Sequence, residues 1–320
     1  MKYLRRRAIH GVLLLFGVSV LCFLFSDLAP GSFFDEMKLN PQISPSTVAA
    51  LRSQYGLDQP LALRYFLWMK SVARGDWGYS FAYNAPVRSL LVVRARNTMI
   101  LTTTATLLAW LIAIPLGIWV ADCAGRLQDR LAMAGTSVLL AVPELVLVLA
   151  LLYWIVRTHA LPVGGMASPN ADSLALWAKL RDLAAHLVVP VATLVLASLP
   201  ILLRHVRASI IEVLRAPFIQ AARGHGIGRA RLLFRYALPA AANPMISLFG
   251  LSIAGLLSGS LLVEVIMGWP GLGPLLLEAS ISRDIHVVVG AVMASTLFMI
   301  LGSFLADVML LVVDPRVRLD

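Results

Sequence analysis

At 320 residues, 59% of them hydrophobic and 14% charged, the chain departs from soluble domains, where roughly 25% of residues are charged. Its mean hydropathy of +0.82 excludes an ordinary soluble enzyme or binding module and points to a bilayer. The formal charge of +10 would suit nucleic acid, but the basic residues gather between apolar runs, where topology and anionic lipid headgroups account for them.

Six apolar runs near the ~20-residue length of a membrane span are predicted as helices: 9–28, 98–120, 131–156, 186–203, 245–267 and 287–313. A helix satisfies its own backbone hydrogen bonds in lipid, whereas a barrel would need alternating strands. The first run follows Lys2, Arg5, Arg6 and Arg7. It is read as a retained span, because its apolar stretch outruns a signal core and Leu28-Ala-Pro-Gly31 is a poor cleavage site. Residues 1–96 thus form a first span plus an extracytoplasmic segment. In that segment Ser44-Pro45 is predicted to open a short helix stopping near Gly56, and Pro60 a second that ends at Gly75-Asp76. Residues 97–313 form a five-span core with a basic loop, 204–239, and 314–320 form a tail.

Lysine and arginine set the orientation. Arg126 and Arg130 precede span three, Arg204, Arg207, Arg215, Arg223, Arg229, Arg231 and Arg235 follow span four, and Arg316 and Arg318 close the tail. The loop between spans five and six has only Arg283, beside Glu278 and Asp284. Both termini and loop 204–239 are therefore expected in the cytoplasm. Cys22 and Cys123 fall in or beside spans and make no disulfide framework.

Within the basic loop, Pro217 suits the first turn of a new helix, and Gly224 and Gly226 are expected to end it after about two turns. A second helix is predicted from about Arg229 to Ala237, stopped by Pro239. A short helix held between long spans is a rigid knob, with alanines on its exposed face for close entry into a partner's cleft. A DNA-reading helix pair is excluded by its tethering between spans. An ordinary basic connection remains open on this segment alone.

The order Gln220, Ala221, Ala222, Arg223, Gly224, His225, Gly226, then Tyr236, Leu238 and Pro239 resembles the ATPase-docking loop of ABC-importer permeases. That loop reads Glu-Ala-Ala, three residues, Gly, nine residues, Ile, one residue, Leu-Pro; Gln220 replaces the Glu and Tyr236 the Ile. Further landmarks are similar to those of the dipeptide, oligopeptide and nickel permeases: Arg74-Gly-Asp-Trp-Gly-Tyr-Ser80, Arg96-Asn-Thr98, Leu161-Pro-Val-Gly-Gly165, Glu264 before Pro270-Gly-Leu-Gly273, and Asp314-Pro-Arg-Val-Arg318. Departures fall at His225, Gln220 and His286, where that branch often has other residues.

The resemblance implies an all-α integral membrane protein with the type I ABC importer fold, in the inner membrane of a bacterium. The working unit would hold a second homologous permease, two ABC ATPase subunits and an extracytoplasmic solute-binding protein, and would import peptides, similar small solutes or nickel. The chain has no phosphate loop of its own, and no cofactor is implied. An exporter or channel-type subunit is the alternative; an intramembrane enzyme is disfavoured by the lack of a metalloprotease or serine-nucleophile motif.

Ionisable groups inside spans are costly. Glu144, mid-span after Pro143, is either a pathway-lining carboxylate meeting a cationic solute or a member of a helix–helix pair. Asp307 is expected to be structural, paired with an arginine. Glu264 is expected near water at the outer end of span five, as a gate or packing contact. Ser252, Ala254, Gly255, Ser258 and Gly259 are expected as close-packing positions.

Overall fold

The computed structural model describes residues 2–28 and 58–313, with Ser44, Ser46, Val48 and Ser53 between them. Of the helix expected from Ser44 to Gly56, Ser46, Val48 and Ser53 are helical, with the Val48 N–H on the Ser44 carbonyl at 3.2 Å; its other residues and the tail 314–320 lie outside the described residues. The helices are α1 (Lys2–Leu28), α2 (Leu61–Val72), α3 (Val87–Asp122), α4 (Leu127–Ala141), α5 (Glu144–Thr158), α6 (Leu176–Leu214), α7 (Pro217–Gly224), α8 (Arg229–Ala240), α9 (Ala242–Ile266), α10 (Leu272–Ile281) and α11 (Ile285–Val313). Among the described residues four helices are long and apolar enough to cross a membrane, or six if each of two bent pairs counts as one span.

One bent pair is α4 and α5, which meet at 94° where a continuous span was expected. Pro143 lacks an N–H and disfavours helical backbone in the residue before it. Val142 is accordingly extended, at φ −88° and ψ 117°, and α5 restarts at Glu144. The second bent pair, α8 and α9, meets at 62°. Pro239 does not stop α8 as expected. A π turn over Leu232–Ala237 precedes it, and that wider turn leaves room for the proline ring, which an α turn would press against the carbonyl four residues back.

The chain forms two compact units. The larger comprises Met99–Trp269 with Met299–Asp320 and Met1–Arg5. Its core joins Leu101, Ala105, Ala109 and Ala113 of α3 to Val148 and Ile155 of α5, Leu194, Val206 and Ile210 of α6, and Met245 and Val263 of α9. The small α3 residues recur every four positions and are fully buried, while Leu111 is 71% exposed. Alanines thus meet helices and leucines face lipid, as suits a bundle whose association rests on close packing. Thr104 and Thr106 donate to carbonyls of their own helix, at Ile100 (2.6 Å) and Thr102 (2.7 Å).

Close packing of α9 falls only in part on the residues expected: a Cβ on Gly259 would lie 3.3 Å from Glu144 Oε2, and the side chains of Ala254 and Ser258 lie outside the described residues. A Cβ on Gly250 would lie 2.4 Å from that of Ala306, whereas one on Gly255 would meet nothing within 4 Å. Ser252 instead accepts a hydrogen bond from the Trp110 indole at 2.9 Å. The sequence shows small residues but not which way each points.

The second unit comprises Arg6–Thr98 and Pro270–Phe298. There α2 lies on α1, with Tyr65 hydrogen-bonded to Ser19 (2.8 Å) and Phe23 set against Tyr65 and Trp68. A two-stranded hairpin, β1 (Tyr79–Ser80) and β2 (Ala85–Pro86), leads into α3. Asn97 Nδ2 donates to the Pro270 carbonyl at 2.8 Å, and Thr98 Oγ1 accepts from the Leu272 N–H at 2.8 Å.

Candidate functional site

The basic loop folds as a capped knob. Pro217 occupies the first position of α7 after an extended Ala216. Ile219 is fully enclosed and packs with Leu232 and Ala237 of α8, with Val213, Ala222, Ile227 and Tyr236 around them. Gly226 (φ +77°) ends the helix as the left-handed residue of a Schellman cap: its N–H donates to the Arg223 carbonyl (2.9 Å) and that of Ile227 to Ala222 (3.3 Å). Ile227 closes the motif by packing back on the same cluster. Gly226 is therefore the stop. Gly224 stays helical.

The open face of α7 carries Phe218, Gln220, Ala221, Arg223 and Gly224. Ala222, expected outside, is half-buried in the cluster, so Ala221 is the small residue that a partner would meet. Leu238 is half-buried and Pro239 exposed. Phe218, half exposed at 50%, escaped sequence reasoning. It precedes Ile219, and only the rotation of the helix tells which of the two apolar neighbours faces out.

Two ion pairs tie this region to other helices. Arg229 donates from Nε to Asp122 Oδ1 at 2.7 Å and from a terminal nitrogen to the Asp122 carbonyl at 2.8 Å. Arg207 grips Asp129 with both branches of its guanidinium, at 2.6 and 2.7 Å, while the Gly125 N–H donates to the same carboxylate at 2.8 Å. Asp129 is only 4% exposed. Arg229 is thus a tether and not the indifferent charge that its neighbourhood of arginines suggests. Its side chain is 61% exposed, so solvent screens the pair. Arg229→Ala is expected to cost about 0.5–1 kcal/mol, read as a small drop in melting temperature that vanishes in high salt; a large, salt-independent drop would contradict it.

The three carboxylates of the spans occupy three settings. Glu144 is half-buried at the start of α5, its Oε2 lying 3.3 Å from where a Cβ on Gly259 would be. Its Oε1 is enclosed and has no hydrogen-bond partner among the described residues. Glu264 is fully buried, contrary to the expected proximity to water. The turn 161–165 covers the end of α9, where the Gly165 N–H donates to the Met267 carbonyl at 2.9 Å, and Trp269 folds back with its N–H on the Glu264 carbonyl at 2.8 Å. Ser260 Oγ reaches Glu264 Oε1 at 3.4 Å. Asp307 is buried in α11, beside the Ala306–Gly250 approach.

In the second unit, two landmarks far apart in sequence meet. Asp284 accepts from Ser80 Oγ at 2.7 Å and from the Ala82 N–H at 3.3 Å. Tyr83 donates to Glu278, and burial together with that carboxylate pushes its hydroxyl up to about 12. Nothing in the linear spacing announces this clasp, because each partner is an ordinary surface residue type.

An apolar helical bundle that carries a capped, solvent-facing knob between two spans has the build of a transport subunit driven from outside itself. The chain belongs to the family of binding-protein-dependent transport system inner membrane components, whose model matches residues 113–319, and the N-terminal model of the same family matches residues 1–102. It is 31% identical to the oligopeptide transport system permease protein AppB of Bacillus subtilis, over 99% of each chain. It is 30% identical to the glutathione transport system permease protein GsiC of Salmonella typhimurium, again over 99% of each. Among solved structures, a chain of the MetNI methionine ABC transporter in an inward-facing conformation shares the fold, with a TM-score of 0.59 at 16% identity over 70% of this chain and 96% of that one. The protein is a permease subunit of the bacterial inner membrane and not an enzyme, and its family implies ATPase and substrate-binding-protein partners.

Proposed function

We propose that the chain forms half of the transmembrane pathway of an importer for peptides or similar small solutes, completed by a second homologous permease. Two ATPase subunits drive it and an extracytoplasmic binding protein delivers the solute. Both termini and loop 204–239 lie in the cytoplasm. Residues 1–96 form the first span and an extracytoplasmic segment, 97–313 the permease core, and 314–320 a cytoplasmic tail. The peptide class is supported by relatives named for oligopeptide and glutathione transport that match the chain end to end.

The observation that carries the reading is the Schellman-capped α7, with Gln220, Ala221, Arg223 and Gly224 on its open face and Leu238 and Pro239 behind it. A helix of this size, stapled by Ile219 to α8, can be pushed as one body. Asp122–Arg229 and Asp129–Arg207 then pass the push to α3, α4 and α6. Glu264 and Asp307 are assigned to the packing that keeps the core closed around such a movement.

Single cysteines placed in a background without Cys22 and Cys123 test the orientation. Reporters at Arg130, Arg229 and Arg318 should be shielded from an impermeant thiol reagent added to sealed cells, and reporters at Asn84, Asn170 and Glu278 labelled. Outside labelling at Arg229 would remove the loop from the ATPases' compartment and end this reading. Purification of the tagged chain should also bring down a second permease and ATPase in stoichiometric amount.

A further inference from the structure

We propose that Glu144 is a transient seat within the membrane for the protonated amine of the transported solute; this rests on the import reading above. Three observations converge on it. The first is electrostatic. A carboxylate in a span costs at least about 2.5 kcal/mol on insertion scales unless it meets a partner or a water-filled path. Among the described residues Oε1 has no hydrogen-bond partner although it is shut away from solvent, so helix pairing does not explain the group.

The second is shape. Oε2 lies over Gly259, where a Cβ would come within 3.3 Å. The glycine seats the carboxylate itself and brings no side-chain donor of its own.

The third is the backbone. Glu144 opens α5 directly after the 94° break from α4. Glu144 stands in the first turn of α5, and the last-turn carbonyls of α4, that of Leu139 excepted, are released from helical bonding. Broken helices that aim a terminus and freed carbonyls at one point are a recurring way to hold a solute inside a membrane.

A carboxylate offers acceptors only. That suits a primary ammonium, which has three donors and no acceptor. A divalent metal would call for more ligands, and no cluster of three or more His, Cys, Asp or Glu exists among the described residues. The ligand class is therefore an amine.

The test uses the complete transporter reconstituted in proteoliposomes with its ATPases and binding protein. Uptake of tri-alanine is compared with that of N-acetyl-tri-alanine, each at a concentration saturating the binding protein. Glu144→Gln is expected to lower uptake of the free-amine peptide roughly tenfold and leave the acetylated peptide within about twofold of its wild-type rate. Glu144→Asp should keep the preference. An acetylated peptide bearing one lysine forms a further arm: sensitivity to Glu144→Gln extends the seat to any primary amine, and insensitivity confines it to the amino terminus. Equal loss for both alanine peptides, no loss for either, or failure of the Glu144→Gln complex to assemble would each overturn the seat while leaving the import reading in place. Uptake of neither peptide by the wild-type complex would instead overturn the peptide class itself.

Discussion

Ala221→Arg should abolish most ATPase association, lowering co-purified ATPase by roughly tenfold, while the permease still inserts and folds. Ala221 lies on the open face of α7, and its carbonyl accepts from the His225 N–H at 3.1 Å and meets the imidazole Nδ1 at 2.8 Å. A long charged side chain there disturbs nothing inside the permease and prevents close approach from outside. Gly226→Val should produce the same loss by another route. At φ +77° no atom lies within 4 Å of a new Cβ, so crowding is not the cause. The cost is conformational: an L residue in the left-handed region loses about 1–2 kcal/mol, and a β-branched one more. The Schellman cap would open and α7 would leave its angle. Gly226→Asn, tolerated at positive φ, should restore much of the association, which separates backbone strain from side-chain bulk. If Ala221→Arg and Gly226→Val both retained full ATPase binding, α7 would be an ordinary connection.

The largest effect on stability is expected from Arg207→Ala. It strips both guanidinium hydrogen bonds from Asp129, whose side chain is 6% exposed, and leaves a buried carboxylate with the Gly125 N–H but no countercharge in contact. Breaking a buried pair from one side costs about 3–5 kcal/mol. Arg207 retains some contact with solvent, which places the expectation near the lower figure. Asp129→Asn should cost less, since it removes the charge together with the partner's attraction. Thermal unfolding of the purified permease, followed by loss of monodispersity, gives the order. Arg207→Ala melting within about a degree of wild type would show that the clasp does not hold the structure.

What the sequence revealed and what it hid divide along physical lines. Spans announce themselves by apolar runs, and Pro217 and Gly226 mark a short helix because each has a backbone reason to stand there. Family membership followed from the order of such landmarks. The break between α4 and α5 was hidden because Pro143 resembles Pro115, Pro190 and Pro200, which sit inside continuous helices. Only Pro143 follows a residue whose backbone turns extended. Burial of Glu264 was hidden for another reason. The end of α9 is met by the turn at 161–165, about a hundred residues away in the chain, through the Gly165 N–H and the Met267 carbonyl. Facing was also hidden within apolar or small-residue runs, so Phe218 and Ile219, or Gly250 and Gly255, looked alike until the helices were placed.

The π turn at Leu232–Ala237 holds one residue more than the same length of α-helix would need, as a rope holds slack. Tightening it into α geometry would turn everything beyond it by about 100° and shift it by about 1.5 Å along the axis. Because Ile219 of α7 packs on Leu232 of this turn, a straight thrust on the knob would reach a stretch of backbone able to turn as well as shift. The thread of a screw does the same, and were the turn to tighten, α9 is the helix that would rotate.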